Sequence, residues 1–132
     1  MAARGVKLLF DENISQRHVS FLAQESRLAE MQHLTSRGWR GTPDVVWIRL
    51  AAQQGFVIIT GDRNERTRGY TVQDMKGLGA QVVLLGGFWD HMSRWERAKW
   101  LVSNIEKVLA VVQRTSGAFV YLMDRYARVK HL

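Results

Sequence analysis

Three short, nearly uninterrupted apolar runs constrain this chain most: Val6-Lys7-Leu8-Leu9-Phe10, Phe56-Val57-Ile58-Ile59-Thr60 and Gln81-Val82-Val83-Leu84-Leu85, each bounded by glycine or acidic residues. A strand with one face in water alternates polar and apolar residues, whereas these runs offer no face to solvent and require a sheet covered on both sides. The covering layers are legible as helical patterns. Residues 15–24 place Val19, Phe21 and Leu22 on one face, and residues 43–54 carry Val46, Trp47, Leu50 and Ala51, with Thr42 expected to cap that helix and Pro43 to sit in its first turn. A weaker strand is expected at 29–34, a loop at 36–41, a short helix at 71–78 and a last strand at 118–123. Leu101, Ile105, Val108, Leu109 and Val112 recur at helical spacing and mark the longest helix, residues 93–113. Strands alternating with helices predict an α/β, three-layer sandwich with a mainly parallel central sheet, joined by right-handed crossovers. At 132 residues, positions 1–132 read as one domain.

Composition narrows the chemistry. The chain has no cysteine, which excludes disulfide frameworks, zinc ribbons and thiol catalysis. No stretch approaches a membrane span, because Arg97, Lys99, Glu106, Lys107 and Arg114 interrupt the apolar C-terminal part. The first residues lack the apolar run of a signal peptide, so the expected location is the cytoplasm. The net charge of +7 is unevenly spread: residues 1–62 carry seven basic and six acidic side chains, residues 63–132 twelve and six. Arg63, Arg66 and Arg68 share one polar stretch, and Arg125, Arg128 and Lys130 crowd the C-terminus, as a nucleic-acid-binding surface requires.

Inside this basic chain four acids are expected at one place. In open parallel sheets ligands bind outside the carboxyl ends of the strands, where Asp11-Glu12 and Gly61-Asp62 follow two of the apolar runs and where Asp44 begins a crossover helix. Gathered carboxylates repel one another unless a cation neutralises them, and oxygen donors without cysteine or paired histidine suit Mg²⁺ or Mn²⁺. Singly, each acid also has a structural use: Asp44 complements a helix dipole, Asp62 fits a turn, and Asp11 or Asn13 can cap the first helix.

The ordered segments Leu8-Leu9-Phe10-Asp11-Glu12-Asn13-Ile14-Ser15, Gly41-Thr42-Pro43-Asp44 and Ile58-Ile59-Thr60-Gly61-Asp62-Arg63-Asn64 resemble the PIN-like domains of the short group that opens with a strand followed by Asp-Glu-Asn. The resemblance covers about residues 6–86; beyond that only the strand–helix–strand pattern agrees. It implies a metal-dependent endoribonuclease using Mg²⁺ or Mn²⁺, with an RNA substrate, and the toxin of a toxin–antitoxin module with a cognate antitoxin protein. By position it makes Asp11, Asp44 and Asp62 the catalytic, metal-binding acids and Glu12 their neighbour. One departure stands out: the family often has a second acid two residues after the position of Asp62, and here that residue is Asn64. Asn13 and Asn64 are read as supporting residues, and Arg63, Arg66 and Arg68, next in the chain to Asp62, as the RNA-binding ones. A homodimer is a further possibility. The alternative function is a catalytically weak PIN-like RNA-binding or protein-interaction module. A phosphoacceptor receiver domain also gathers acids at strand ends, but no lysine here directly follows a later strand.

The remaining chemistry-bearing residues read as structural. His18, His33, His91 and His131 show no paired spacing. Trp89, Trp95, Trp100 and Phe88, interleaved with Arg94, Arg97 and Lys99, fit core packing or a partner interface better than RNA stacking. The glycines of Met75-Lys76-Gly77-Leu78-Gly79 lead into a strand rather than a helix, which makes a turn and not a phosphate loop.

Overall fold

The structure, a computed structural model, describes residues 5–27, 29–61 and 72–132. The apolar runs become β1 (Lys7–Phe10), β3 (Phe56–Thr60) and β4 (Gln81–Leu85), joined by β2 (Glu30–His33), β5 (Phe119–Met123) and β6 (Val129–His131). They form one six-stranded sheet in the order β2-β1-β3-β4-β5-β6. β1 to β5 are parallel, and β6 is antiparallel to β5. Between the strands lie α1 (Gln16–Glu25), α2 (Asp44–Gln53), α3 (Val72–Gly77) and α4 (Arg94–Gln113), with a 3₁₀ turn at Gly87–His91. Among the described residues no helix is long and apolar enough to cross a membrane.

Alternation along each strand divides the core into two layers. Leu8, Phe10, Val57, Ile59, Val83, Leu85 and Met123 face Val19 and Leu22 of α1 and Leu101, Ile105 and Val108 of α4. Leu9, Ile58, Val82, Leu84 and Val120 face Trp47, Ile48 and Ala51 of α2 and Met75 of α3. Both faces of the sheet are therefore dry, as non-alternating strands demand. The expected three-layer α/β sandwich is the fold observed.

Three local expectations need correction. Pro43, not Thr42, is the N-cap of α2, and no side chain caps it; the backbone N–H of Thr42 is turned back to the Trp39 carbonyl instead. β6 was not expected, because three residues at the end of the chain with one half-buried side chain carry almost no periodic signal. The crossovers are also not all of one hand. The steps from β3 to β4 and from β4 to β5 move the same way along the sheet, yet α3 lies on one face and α4 on the other, so these two connections have opposite hand. The start of α4 is fixed locally by a capping box: the Ser93 side chain accepts from the Glu96 N–H at 3.1 Å while the Glu96 carboxylate accepts from the Ser93 N–H at 2.9 Å.

The position of α4 matters for the site. It brings the first turn of α4 alongside α1, at the edge where the parallel strands end.

Candidate active site

The sheet reverses direction at the junction of β1 and β3, since β2 lies outside β1 while β4 and β5 continue beyond β3. Such a switch point leaves a crevice at the carboxyl ends of the strands, because the flanking helices depart to opposite faces. Register decides what lines it. Phe10 stands opposite Ile59, so the next residues, Asp11 and Thr60, emerge side by side. The Asp11 N–H donates to the Ile59 carbonyl at 3.0 Å, and the Thr60 hydroxyl donates to Asp11 Oδ2 at 2.9 Å.

Asn13 completes this junction. Its Nδ2 donates to Thr60 Oγ1 at 3.2 Å, and its Oδ1 accepts from the Gly61 N–H at 2.8 Å. Asp11 Oδ1 accepts from the Glu12 N–H at 2.6 Å, so the carboxylate, only 7% exposed, is held from two strands at once. Neither Asp11 nor Asn13 caps α1, whose N-cap is Ser15 without a side-chain hydrogen bond. The short polar side chains after β1 are used across the switch point rather than along the helix. Gly61 is required there by space: a Cβ would stand 2.5 Å from Cδ1 of the fully buried Trp89.

Asp44 opens α2, which follows the carboxyl end of β2 and runs back toward the start of β3. The carboxylate therefore stands at the same edge of the sheet, on the face opposite α1. Its Oδ1 accepts from the Trp47 indole N–H at 3.0 Å, one turn along the helix, and its charge faces the positive end of the helix dipole. Asp62, Arg63, Asn64, Arg66 and Arg68 lie outside the described residues. Among the described residues no three histidine, aspartate or glutamate side chains gather closely enough to hold a metal ion.

Beside Asp11, on the α1 face, opens a polar cleft of about 360 Å³ lined by Glu12, Asn13, Ser15, His18, Arg94 and Arg97. Arg97 is anchored by donating its Nε–H to the Trp89 carbonyl at 3.0 Å, with the guanidinium 4.8 Å from the centre of the Trp89 ring. The aromatic and basic cluster, expected to serve core packing or a partner interface, divides: Trp89 and Trp100 are buried, whereas Trp95 is 72% exposed, and Arg94 and Arg97 line the cleft. The histidines likewise divide. His33 is a satisfied core residue, bonded through Nε2 to the Ile14 carbonyl at 2.7 Å and accepting from the Thr35 N–H at Nδ1. His18 instead borders the cleft, and its buried Nδ1 has no hydrogen-bond partner among the described residues.

Burial, followed by the nearby charges of Arg94 and Arg97, holds the His18 pKa below the ordinary imidazole value. The unfolded chain thus binds the His18 proton more readily than the folded one, and stability rises with pH between the folded and the ordinary value. We expect the thermal midpoint to fall as the pH is lowered from 7.5 to 5.5, and the fall to be smaller in His18→Gln. An identical decline in the variant would assign the effect to other groups. Thr60, His18, Arg94 and Arg97 are the site residues that sequence reasoning missed. Thr60 alone had a visible signal, as the one polar residue closing an otherwise apolar strand.

A family model described as a PIN-like domain matches residues 6–87, a span that runs from β1 into the 3₁₀ turn and includes Asp11, Asp44 and Asp62. No curated protein and no solved structure matched the chain.

Proposed function

Since the chain belongs to the PIN-like domain family, whose fold is of the nuclease type, we propose that it is a metal-dependent endoribonuclease cleaving phosphodiester bonds. The observation that carries this reading is the buried Asp11 carboxylate held at the sheet's switch point by Thr60 and the Glu12 N–H, directly beside a cleft lined by two arginines. A buried acid next to a basic cleft is what a site needs if it is to hold a cation and a phosphate together.

The donor set suits a hard divalent ion. Asp11, Asp44 and Asp62, with Asn64 beside the last, offer only oxygen or amide donors in a chain without cysteine, which favours Mg²⁺ or Mn²⁺ over thiophilic metals. When bound, such an ion polarises a phosphoryl oxygen and makes a water more acidic. The protein's own part is orientation. Thr60 and Asn13 prevent the Asp11 side chain from swinging away, and Trp47 does the same for Asp44. Arg94 and Arg97, together with Arg63, Arg66 and Arg68, hold the backbone phosphates of the RNA as charge-assisted donors. Glu12, on the cleft wall, keeps part of that wall acidic and so biases where the phosphates settle.

We extend the proposal to biology as the toxin of a toxin–antitoxin pair, with a cognate antitoxin protein covering this basic, acid-centred edge, in a cytoplasmic protein that also forms a homodimer. Cleavage of an end-labelled RNA pool tests the central claim. Fragments should appear with Mn²⁺ or Mg²⁺ and be absent with chelator. No cleavage under any of these conditions, with RNA binding retained, would replace the nuclease by an RNA-binding module, a reading that Asn64 in the place of an acid already favours.

A further inference from the structure

The hairpin that joins β5 to β6 turns at the same carboxyl edge as the acidic site, because β5 is parallel to β1, β3 and β4. Its tip is built rigidly. The Asp124 carboxylate accepts from the backbone N–H groups of Tyr126 at 2.8 Å and Arg128 at 3.0 Å, and from Arg128 Nε at 3.3 Å. Ala127 is buried in the left-handed region at φ 59°, and its N–H donates to the Asp124 carbonyl at 3.0 Å. From below, the Trp100 indole of α4 donates to the Arg125 carbonyl at 2.8 Å.

This framework presents an aromatic ring to solvent. Tyr126 is 61% exposed, with the guanidinium carbons of Arg125 and Arg128 at 5.9 and 5.1 Å from its ring centre. Beside it lies an open groove of about 580 Å³ bordered by Gly87, Phe88, Tyr126, Arg128 and Lys130. The groove is tied to the acidic site through the core: Phe88 borders it, and the next residue of the same 3₁₀ turn, the buried Trp89, packs on Gly61 and anchors Arg97. From β5 to β1 is three strand spacings, about 14 Å.

We infer that the Asp124–Arg128 hairpin is a binding subsite for single-stranded nucleic acid, in which one base stacks on Tyr126 and the neighbouring phosphates lie against Arg125, Arg128 and Lys130. An acidic polypeptide would use the cations equally well; the ring set between two guanidinium groups matches the alternation of base and phosphate along a single strand, in which every base has a π face to lay on it. The incoming base takes the place of one guanidinium against the ring and leaves that cation to the adjacent phosphate. The inference rests on the nuclease reading for its ligand class only, and binding is separable from cleavage.

The test is the affinity of a fluorescein-labelled 12-nucleotide single-stranded RNA of mixed sequence, measured in chelator over a salt series. Tyr126→Ala is expected to weaken binding about tenfold without altering the slope of log K against log salt. Tyr126→Phe should bind like the parent. Arg125→Ala and Lys130→Ala should each lower the slope by about 0.7, one released phosphate contact. Unchanged affinity in Tyr126→Ala, or a loss of equal size in Tyr126→Phe, would overturn the subsite. So would displacement of the RNA by poly-glutamate as effective as by unlabelled RNA, which would make the hairpin a general polyanion face. The same variants assayed for cleavage with Mn²⁺ keep the two proposals apart. A protein that binds through Tyr126 but does not cleave retains the subsite and loses the nuclease. One that cleaves with Tyr126→Ala binding like the parent does the reverse.

Discussion

Asp11→Asn is expected to leave a folded protein that cleaves RNA at least about 100-fold more slowly, a larger loss than removal of an outer-shell partner of a metal site brings. The substitution keeps the shape of the side chain and the acceptor for the Glu12 N–H while removing the charge that a hard cation requires. Among the hydrogen bonds between described residues the substitution disturbs one: the Thr60 hydroxyl, which accepts from Asn13, donates to Asp11 Oδ2, and an amide nitrogen there removes that acceptor, at about 1 kcal/mol. Initial rates with saturating Mn²⁺, with urea unfolding of the same preparations, separate the two effects. Parent-like cleavage by the variant would remove Asp11 from the site. A loss of stability much beyond one hydrogen bond would make it a structural residue instead.

Trp47→Ala carries the largest expected effect on stability, about 3–5 kcal/mol, which is a substantial share of what a domain of this size possesses. Trp47 is buried between α2 and the sheet with Leu9, Ile58 and Leu84, and truncation leaves a cavity that these packed neighbours cannot close. Trp47 also donates to Asp44, so the two roles need separate variants. Trp47→Phe retains most of the packing and loses only the indole N–H. It should unfold at a urea midpoint between those of the parent and Trp47→Ala, yet cleave more slowly than the parent because Asp44 is no longer held. Parent-like rates in Trp47→Phe would show that Asp44 needs no such positioning.

Much of this architecture was written locally. The continuous apolar character of β1, β3 and β4 dictated strands buried on both faces, and their alternation with helical patterns predicted a mainly parallel sheet with helices above and below. The periodic apolar residues of α4 were long enough to be unambiguous, and the loop after β1 announced itself by three consecutive polar residues, Asp11, Glu12 and Asn13. Each of these signals depends on residues within one or two turns of one another. The short β6 and the cap of α2 escaped because too few residues carry them.

What the sequence determined by itself, then, is the set of elements, their layering and the candidate acids at the strand ends. Only the tertiary structure decided who meets whom. Asn13 and Thr60 are 47 positions apart and share a bond because parallel register sets β1 against β3. Arg94 and Arg97 reach the cleft beside His18 because α4 packs on the face of α1 rather than on that of α3, and nothing in the composition of α4 specifies a face. An amphipathic helix is satisfied by any apolar surface of the right size. The choice among surfaces belongs to the packing of the whole core, and with it the choice of which charges stand beside Asp11.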